Sequence, residues 1–200
     1  MELFFATGNK NKVKELAALI EDMDIHVRSV ADVPDFVSPP ETGATFKENA
    51  FIKAKSAAEF TGLAALADDS GLVVPALNGA PGVYSARYSG EEGNDDANNE
   101  KLLCEMKDIP EEKRNAYFCT VLCLYLPDGS VYYSEGRVEG RILFDYCGTN
   151  GFGYDPLFFV TEKGKGMAEM TLEEKNEISH RSRAFTSMKA ALNSLLSHTP

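Results

Sequence analysis

The stretch Leu63 to Val74, LAALADDSGLVV, runs apolar, turns to Asp68, Asp69, Ser70 and Gly71, and then runs apolar again. Two alternatives are open. In one, the stretch is a buried strand with Asp68 and Asp69 at its end, where an ionised carboxylate out of water is costly unless a partner or metal compensates. In the other, DDSG is a turn between two strands and the acids are solvated, although the apolar residues on both sides weaken that reading. Side chains alternate along a strand, so without a turn only one of the two aspartates faces a given site.

Working outward, FKENAFIKAKSAAEF (46–60) reads as a helix opened by a Thr45/Glu48 capping box after the proline-rich loop DVPDFVSPPETG (32–43). Earlier, LFFAT (3–7) is a short buried strand that Gly8 and Asn9 break. KNKVKELAALIEDM (10–23) follows, with Val13, Leu16, Ala17, Ile20 and Met23 at helical spacing. On the other side, NGAPGVYSARYSGEEGN (78–94) is a surface segment and DDANNEKLLCEMKDI (95–109) a helix. AYFCTVLCLYL (116–126) and VYYSEGRVEGRIL (131–143) flank PDGS as a hairpin. GTNGFGYDPLFFV (148–160) is a glycine loop entering a strand, and SHRSRAFTSMKAALNSLL (179–196) is an amphipathic helix with Ser179 as N-cap. Without repeats, linkers or low-complexity tracts, one α/β domain over residues 1–200 with a mixed sheet is expected.

With 44% apolar and 26% charged residues in 200, the chain has the composition of a globular protein with a sizeable core. Its net charge is −11, from 20 basic against 31 acidic residues, which disfavours broad attraction to nucleic acid or an anionic membrane. A phosphate compound must then be held locally, by a helix start, a few placed lysines or a metal ion. MELFFATGN has an early acid, no basic leader and a short apolar run, so neither a secretory signal nor a membrane span is expected, and a cytoplasmic protein is. Cys104, Cys119, Cys123 and Cys147 form no CxxC pair, which argues against zinc and redox chemistry. Cys119 and Cys123 read as core thiols.

Four groups carry chemistry. Thr7, Gly8, Asn9, Lys10, Asn11 and Lys12 place a glycine turn at a helix start, where free N–H groups and the positive helix end suit phosphate oxygens; Walker spacing is absent. The plainer reading is a capped helix with solvated lysines. Glu41, Asp68 and Asp69 are a sparse acid set of the kind that holds magnesium together with substrate phosphates; the plainer reading is solvated acids. Gly148, Gly151 and Gly153 let backbone approach a ligand, and Phe152 and Tyr154 offer ring faces to a planar base, against an aromatic turn that packs on the core. Lys175, His180 and Arg181 cluster in EKNEISHRSR at a helix start, by default a solvated basic face. Together these are the parts of a nucleotide site.

Through TGNKNK, ETGATFKENA, ADDSGL, GAPGVYSARY, GTNGFGYDP and SHRSRAF, in that order, the chain resembles the inosine/xanthosine triphosphate pyrophosphatase family over essentially its whole length. The resemblance implies an elongated α/β fold with a mixed central sheet flanked by helices, two lobes with a central active-site cleft, and a homodimer. It also implies a magnesium-dependent enzyme that cleaves ITP, dITP and XTP between the α and β phosphates, giving a nucleoside monophosphate and pyrophosphate. Carried over by position, Thr7 to Lys12 and Lys53 would hold phosphates, Glu41 and Asp69 the metal, and Asp69 would accept the proton, with Asp68 in support. Ser70 would touch substrate, Phe152, Gly153, Tyr154 and Asp155 would line the nucleoside pocket, and Lys175, His180 and Arg181 would bind near the base. Asn150 stands where many relatives carry glycine.

Two other readings compete. A non-catalytic nucleotide-binding or sensing module would keep the phosphate and base groups but has no need of Asp69, and a pyrophosphatase for modified pyrimidine nucleotides is the neighbouring enzyme. A nucleic-acid-binding domain lacks its continuous basic stripe.

Overall fold

A computed structural model describes residues 1–198. In chain order its main elements are β1 (Glu2–Phe5), α1 (Lys10–Leu19), β2 (His26–Ser29), α2 (Phe46–Thr61), β3 (Ala64–Val73), α3 (Asp95–Glu105), β4 (Asn115–Tyr125), β5 (Val131–Ile142), β6 (Phe158–Val160), β7 (Lys165–Gly166), α4 (Leu172–Ile178) and α5 (His180–His198). The strands form one sheet in the order β2-β1-β3-β4-β5-β6-β7. β1 pairs in parallel with both β2 and β3, whereas β6 pairs antiparallel with β5 and with β7. The fold is therefore mixed α/β. β3 runs unbroken for ten residues through Asp68 and Asp69, so DDSG is not a turn and the acids lie inside the strand rather than at its end.

The chain forms two compact units and crosses between them within β3, β4 and β5 and again at the start of α5. The first comprises Met1–Asp69, Thr120–Gly136 and the chain from Arg181 onward. Here strand alternation sorts the core into two layers. Leu3, Phe5 and Leu66 pack with Leu16 of α1 and Phe185 and Met188 of α5. The opposite face, with Phe4, Ala6, Ala65 and Ala67, meets Ala50, Ala54, Ala57 and Ala58 of α2. Those alanines add no bulk between helix and sheet, so α2 lies close to β3.

The second unit comprises Ser70–Cys119 and Arg137–His180. Its core joins Leu72, Phe118, Val138 and Phe158 of the sheet to Leu102 of α3 and Ile178 of α4.

Three expected boundaries differ. α1 ends at Leu19, with Ile20 as its cap, leaving Met23 outside the helix and Ala17 exposed. α3 ends at Glu105, short of Ile109. Residues 172–178 form a separate helix, opened by a Thr171/Glu174 capping box and closed by extended backbone at Ser179, immediately before α5. Cys119 and Cys123 are buried, as read from sequence. Among the described residues no helix is long and apolar enough to cross a membrane.

Candidate active site

In the first unit, Phe5 ends β1 and the turn through Thr7, Gly8 and Asn9 starts α1. Asn9 is the N-cap: its Oδ1 accepts from the backbone N–H of Asn11 at 2.9 Å and of Lys12 at 3.3 Å, while Thr7 Oγ1 accepts from Asn9 N–H at 3.2 Å. Two helix-start donors expected to be free are thus capped internally. A Cβ built on Gly8 would meet nothing within 4 Å, so protein packing does not demand its glycine. Lys10 and Asn11 are exposed.

Alternation along β3 sends its two acids to opposite faces. Asp68 lies on the Leu66 side, where Lys12 Nζ is 2.8 Å from its Oδ2 and Arg181 Nη2 is 3.4 Å away. Arg181 also pairs with Glu15, one helical turn from Lys12 on α1. Burial works against ionised Asp68, but Lys12, Arg181 and Lys53 outweigh it and hold the carboxyl well below the usual range. The same burial lowers Lys12, while Asp68 and Glu15 overcome it at Arg181 and raise that group.

Asp69 lies on the α2 side. Its Oδ2 accepts from Asn49 Nδ2 at 3.1 Å, and its Oδ1 lies 3.2 Å from Lys53 Nζ, which also reaches Glu41 Oε1 at 2.5 Å. Asn49 and Lys53 are four residues apart, so they share the buried face of α2 with its alanines. Burial first, and then the Glu41 charge, raise Asp69 from its ordinary value despite Lys53 and Asn49. Burial would depress Lys53, but Asp69, Asp68 and Glu41 together raise it. Glu41 and Asp69 thus converge on one cation. Among the described residues no set of three His, Cys, Asp or Glu forms a metal cluster. Two carboxylates completed by phosphate oxygens and water fit a magnesium ion, which seldom occupies an all-protein cage.

In the second unit, Asp155 organises the glycine loop. Its Oδ2 accepts from Phe152 N–H at 3.0 Å and from Lys175 Nζ at 2.7 Å, and the same ammonium sits 4.5 Å from the Phe152 ring centroid. A Cβ on Gly151, at φ +79°, would lie 2.1 Å from the Asp155 carboxylate, so this residue must be glycine. Gly153 is at φ +62° with open space around its Cβ position. Tyr154 is buried, and its hydroxyl donates to Ser85 O at 2.8 Å, so that ring packs into the core rather than offering a face. Ser70 is half-buried on β3 beside Asp69. Asn150 has an ordinary φ and donates its amide to Met170 O at 3.0 Å, so the position does not require glycine.

Lys175, His180 and Arg181 are all buried, which overturns the reading of a solvated basic face. Each has its own partners: Lys175 bonds Asp155, His180 stacks on Phe118 at 5.0 Å, and Arg181 bonds Glu15 and Asp68. Sequence reasoning missed Glu15, Asn49, Asp95 and Asn99. For Glu15, Asn49 and Asn99 the available signal was a polar residue at a helix position that the apolar period marks as buried; Asp95 is exposed and gave none.

The sequence pattern of the Ham1 family matches residues 3–191. The chain is 54% identical over 187 residues to the dITP/XTP pyrophosphatase of Geobacter sulfurreducens, covering 94% of each protein. It is 51% identical over 193 residues to that of Haemophilus influenzae, covering 96% of this chain and 98% of the relative. Among solved structures it is similar to the Ham1 protein of Staphylococcus aureus (TM-score 0.85, 41% identity, 97% and 99% covered). It is also similar to a HAM1 protein from Coxiella burnetii (TM-score 0.88, 39% identity, 97% and 99% covered). With buried acids on both faces of β3, a Lys175-backed glycine loop and a match over almost its full length, the chain belongs to the Ham1 family.

Proposed function

We propose that the protein hydrolyses ITP, dITP and XTP between the α and β phosphates, releasing a nucleoside monophosphate and pyrophosphate, and so clears deaminated purines from the nucleotide pool. The observation that carries this reading is the Glu41–Lys53–Asp69 arrangement, in which two carboxylates share one cation and one of them has a raised pKa. A module that only binds nucleotides has no need of it. Lys12 and Lys53, in the first unit, suit the phosphates of a nucleoside triphosphate, and the Phe152–Asp155 loop with Lys175, in the second, suits a base.

Glu41 and Asp69 would hold magnesium, which would supply charge neutralisation for the phosphate oxygens. Asp69 takes the proton of the water that attacks the α phosphorus; its raised pKa is the direction a proton acceptor near neutral pH requires. Lys12 and Lys53 bind phosphate oxygens, and Asp68 keeps Lys12 and Arg181 in place. Phe152 stacks on the base. No covalent intermediate is needed.

Hypoxanthine and xanthine carry a carbonyl at position 6, which would accept hydrogen bonds from Lys175, His180, Arg181 or nearby backbone N–H groups, while the adenine amino group opposes these donors. A donor facing position 2 would likewise oppose the guanine amino group. Sites that leave buried polar groups unpaired with the wrong substrate discriminate by about 10⁴ to 10⁵. The working protein is a cytoplasmic homodimer, which sedimentation equilibrium would check.

Purified protein incubated with magnesium and a panel of triphosphates tests the function. Pyrophosphate release from ITP, dITP and XTP, well ahead of ATP and GTP, is expected. Orthophosphate release, or no turnover, would refute it, and faster turnover of modified pyrimidine nucleotides would reassign the substrate.

A further inference from the structure

The loop from Gly151 to Asp155 carries left-handed glycines at Gly151 and Gly153. Such a segment orders poorly unless held, because glycine backbone is free to leave its conformation. Asp155 fixes one side of the loop through Phe152 N–H and Lys175. Gly153, at the tip, is held by α3. The Asp95 carboxylate accepts from Gly153 N–H at 2.7 Å, and Asn99 Nδ2 donates to Gly153 O at 2.9 Å. Asp95 and Asn99 are four residues apart in the first turns of α3, so they stand on one helix face and grip both peptide groups of one residue. Asn99 is 2% exposed, whereas Asp95 lies at the surface.

The helix that does the gripping is itself anchored. Buried Arg114 donates to Met106 O at 2.7 Å and Ile109 O at 3.2 Å, just beyond the end of α3, and to Ile142 O and Leu143 O at the end of β5. Asn98, also buried, accepts from Ser89 N–H at 2.7 Å and donates to Ala86 O at 3.3 Å, which secures the first turns of the same helix.

We propose that Asp95 and Asn99 are positioning residues for nucleoside binding: they latch Gly153 so that Phe152 is pre-organised to receive the base. The proposal rests on the reading of this loop as the nucleoside end of the site. A loop ordered in advance spares the substrate that ordering cost, so releasing it weakens binding of any nucleotide while leaving phosphate groups and proton acceptor untouched.

The variants are Asp95→Ala, Asp95→Asn, which keeps an acceptor for Gly153 N–H, and Asp96→Ala, which removes a neighbouring exposed first-turn acid with no bond to Gly153. Asp95→Ala should raise KM for ITP by about tenfold, the worth of one charge-assisted hydrogen bond, with kcat little changed. Inhibition by inorganic pyrophosphate, which has no base, should be unchanged. Asp95→Asn should recover most of the affinity and Asp96→Ala should match wild type. Amide hydrogen exchange across residues 151–154 should speed up in Asp95→Ala alone, with or without substrate. An unchanged KM and unchanged exchange would overturn the latch, as would equal losses for ITP and pyrophosphate. Wild-type protein inert towards ITP would instead refute the functional reading, and exchange would still decide whether the latch exists.

Discussion

Asp69 and Asp68 are adjacent residues of the same type, yet strand alternation gives them different neighbours and opposite pKa directions. Asp69→Asn keeps the shape and removes the proton acceptor and one metal charge. Its kcat should fall by about 10² to 10⁴ with KM within a modest factor, and steady-state kinetics with ITP check this. Arg181 sits in a buried ion pair with Glu15. Glu15→Ala leaves Arg181 and Lys12 sharing Asp68, with one buried positive charge in excess, and should lose about 3 kcal/mol in urea denaturation; a loss within the range of a surface substitution would contradict the burial. Arg181→Ala should erode the ITP over GTP preference in kcat/KM. An unchanged ratio would leave Arg181 to the phosphate side beside Lys12. Burial pushes the Cys123 thiol up to about 12. The unfolded thiol loses its proton first, so stability should fall as pH rises from about 9 towards 12, by at most about 1.4 kcal/mol per pH unit. Denaturation of wild type and Cys123→Ala at about pH 8 and about pH 10 isolates this term, and parallel slopes would contradict it.

At the scale of elements, α2 and α3 do the positioning. α2 was legible because its capping box, Thr45 with Glu48, is local chemistry, and both reciprocal bonds form. Its role was not, because Asn49 and Lys53 become meaningful only when a neighbouring strand presents Asp69 to them. α3 depends on Arg114, whose guanidinium serves four backbone carbonyls and lies 4.1 Å from the Phe144 ring centroid. Each buried carbonyl left without a donor costs about 1 to 3 kcal/mol. Arg114→Ala should therefore destabilise by more than about 4 kcal/mol, and Arg114→Lys, lacking the planar fork, should rescue little. Chemical denaturation of both variants measures it; a mild loss in Arg114→Ala would show that water replaces the guanidinium.

For the whole molecule, the two compact units are each built from separate chain segments, and β3, β4 and β5 each contribute to both. A strand cannot readily melt over half its length while the rest stays paired. We therefore propose that residues 1–200 are one cooperative domain. Differential scanning calorimetry should give a single transition whose calorimetric and van't Hoff enthalpies agree, and two resolved transitions would divide the chain. The net charge of −11 applies at this scale too: nucleic acid should not bind measurably at physiological salt.

Period and punctuation in the sequence were enough for the α/β class, the strand at Leu3, the capped helix at Phe46 and the hairpin around PDGS, because these depend on neighbours a few residues away. The motif order was enough for the family. Tertiary structure alone decided that β3 continues through its acids, since a run of Asp-Asp-Ser-Gly is locally as good a turn as a strand until Lys12, Arg181, Asn49 and Lys53 compensate the charge. It alone gave Lys175, His180 and Arg181 different partners. Local propensity cannot see such pairings, because their energy arises from desolvation and ion pairing between residues up to 166 positions apart.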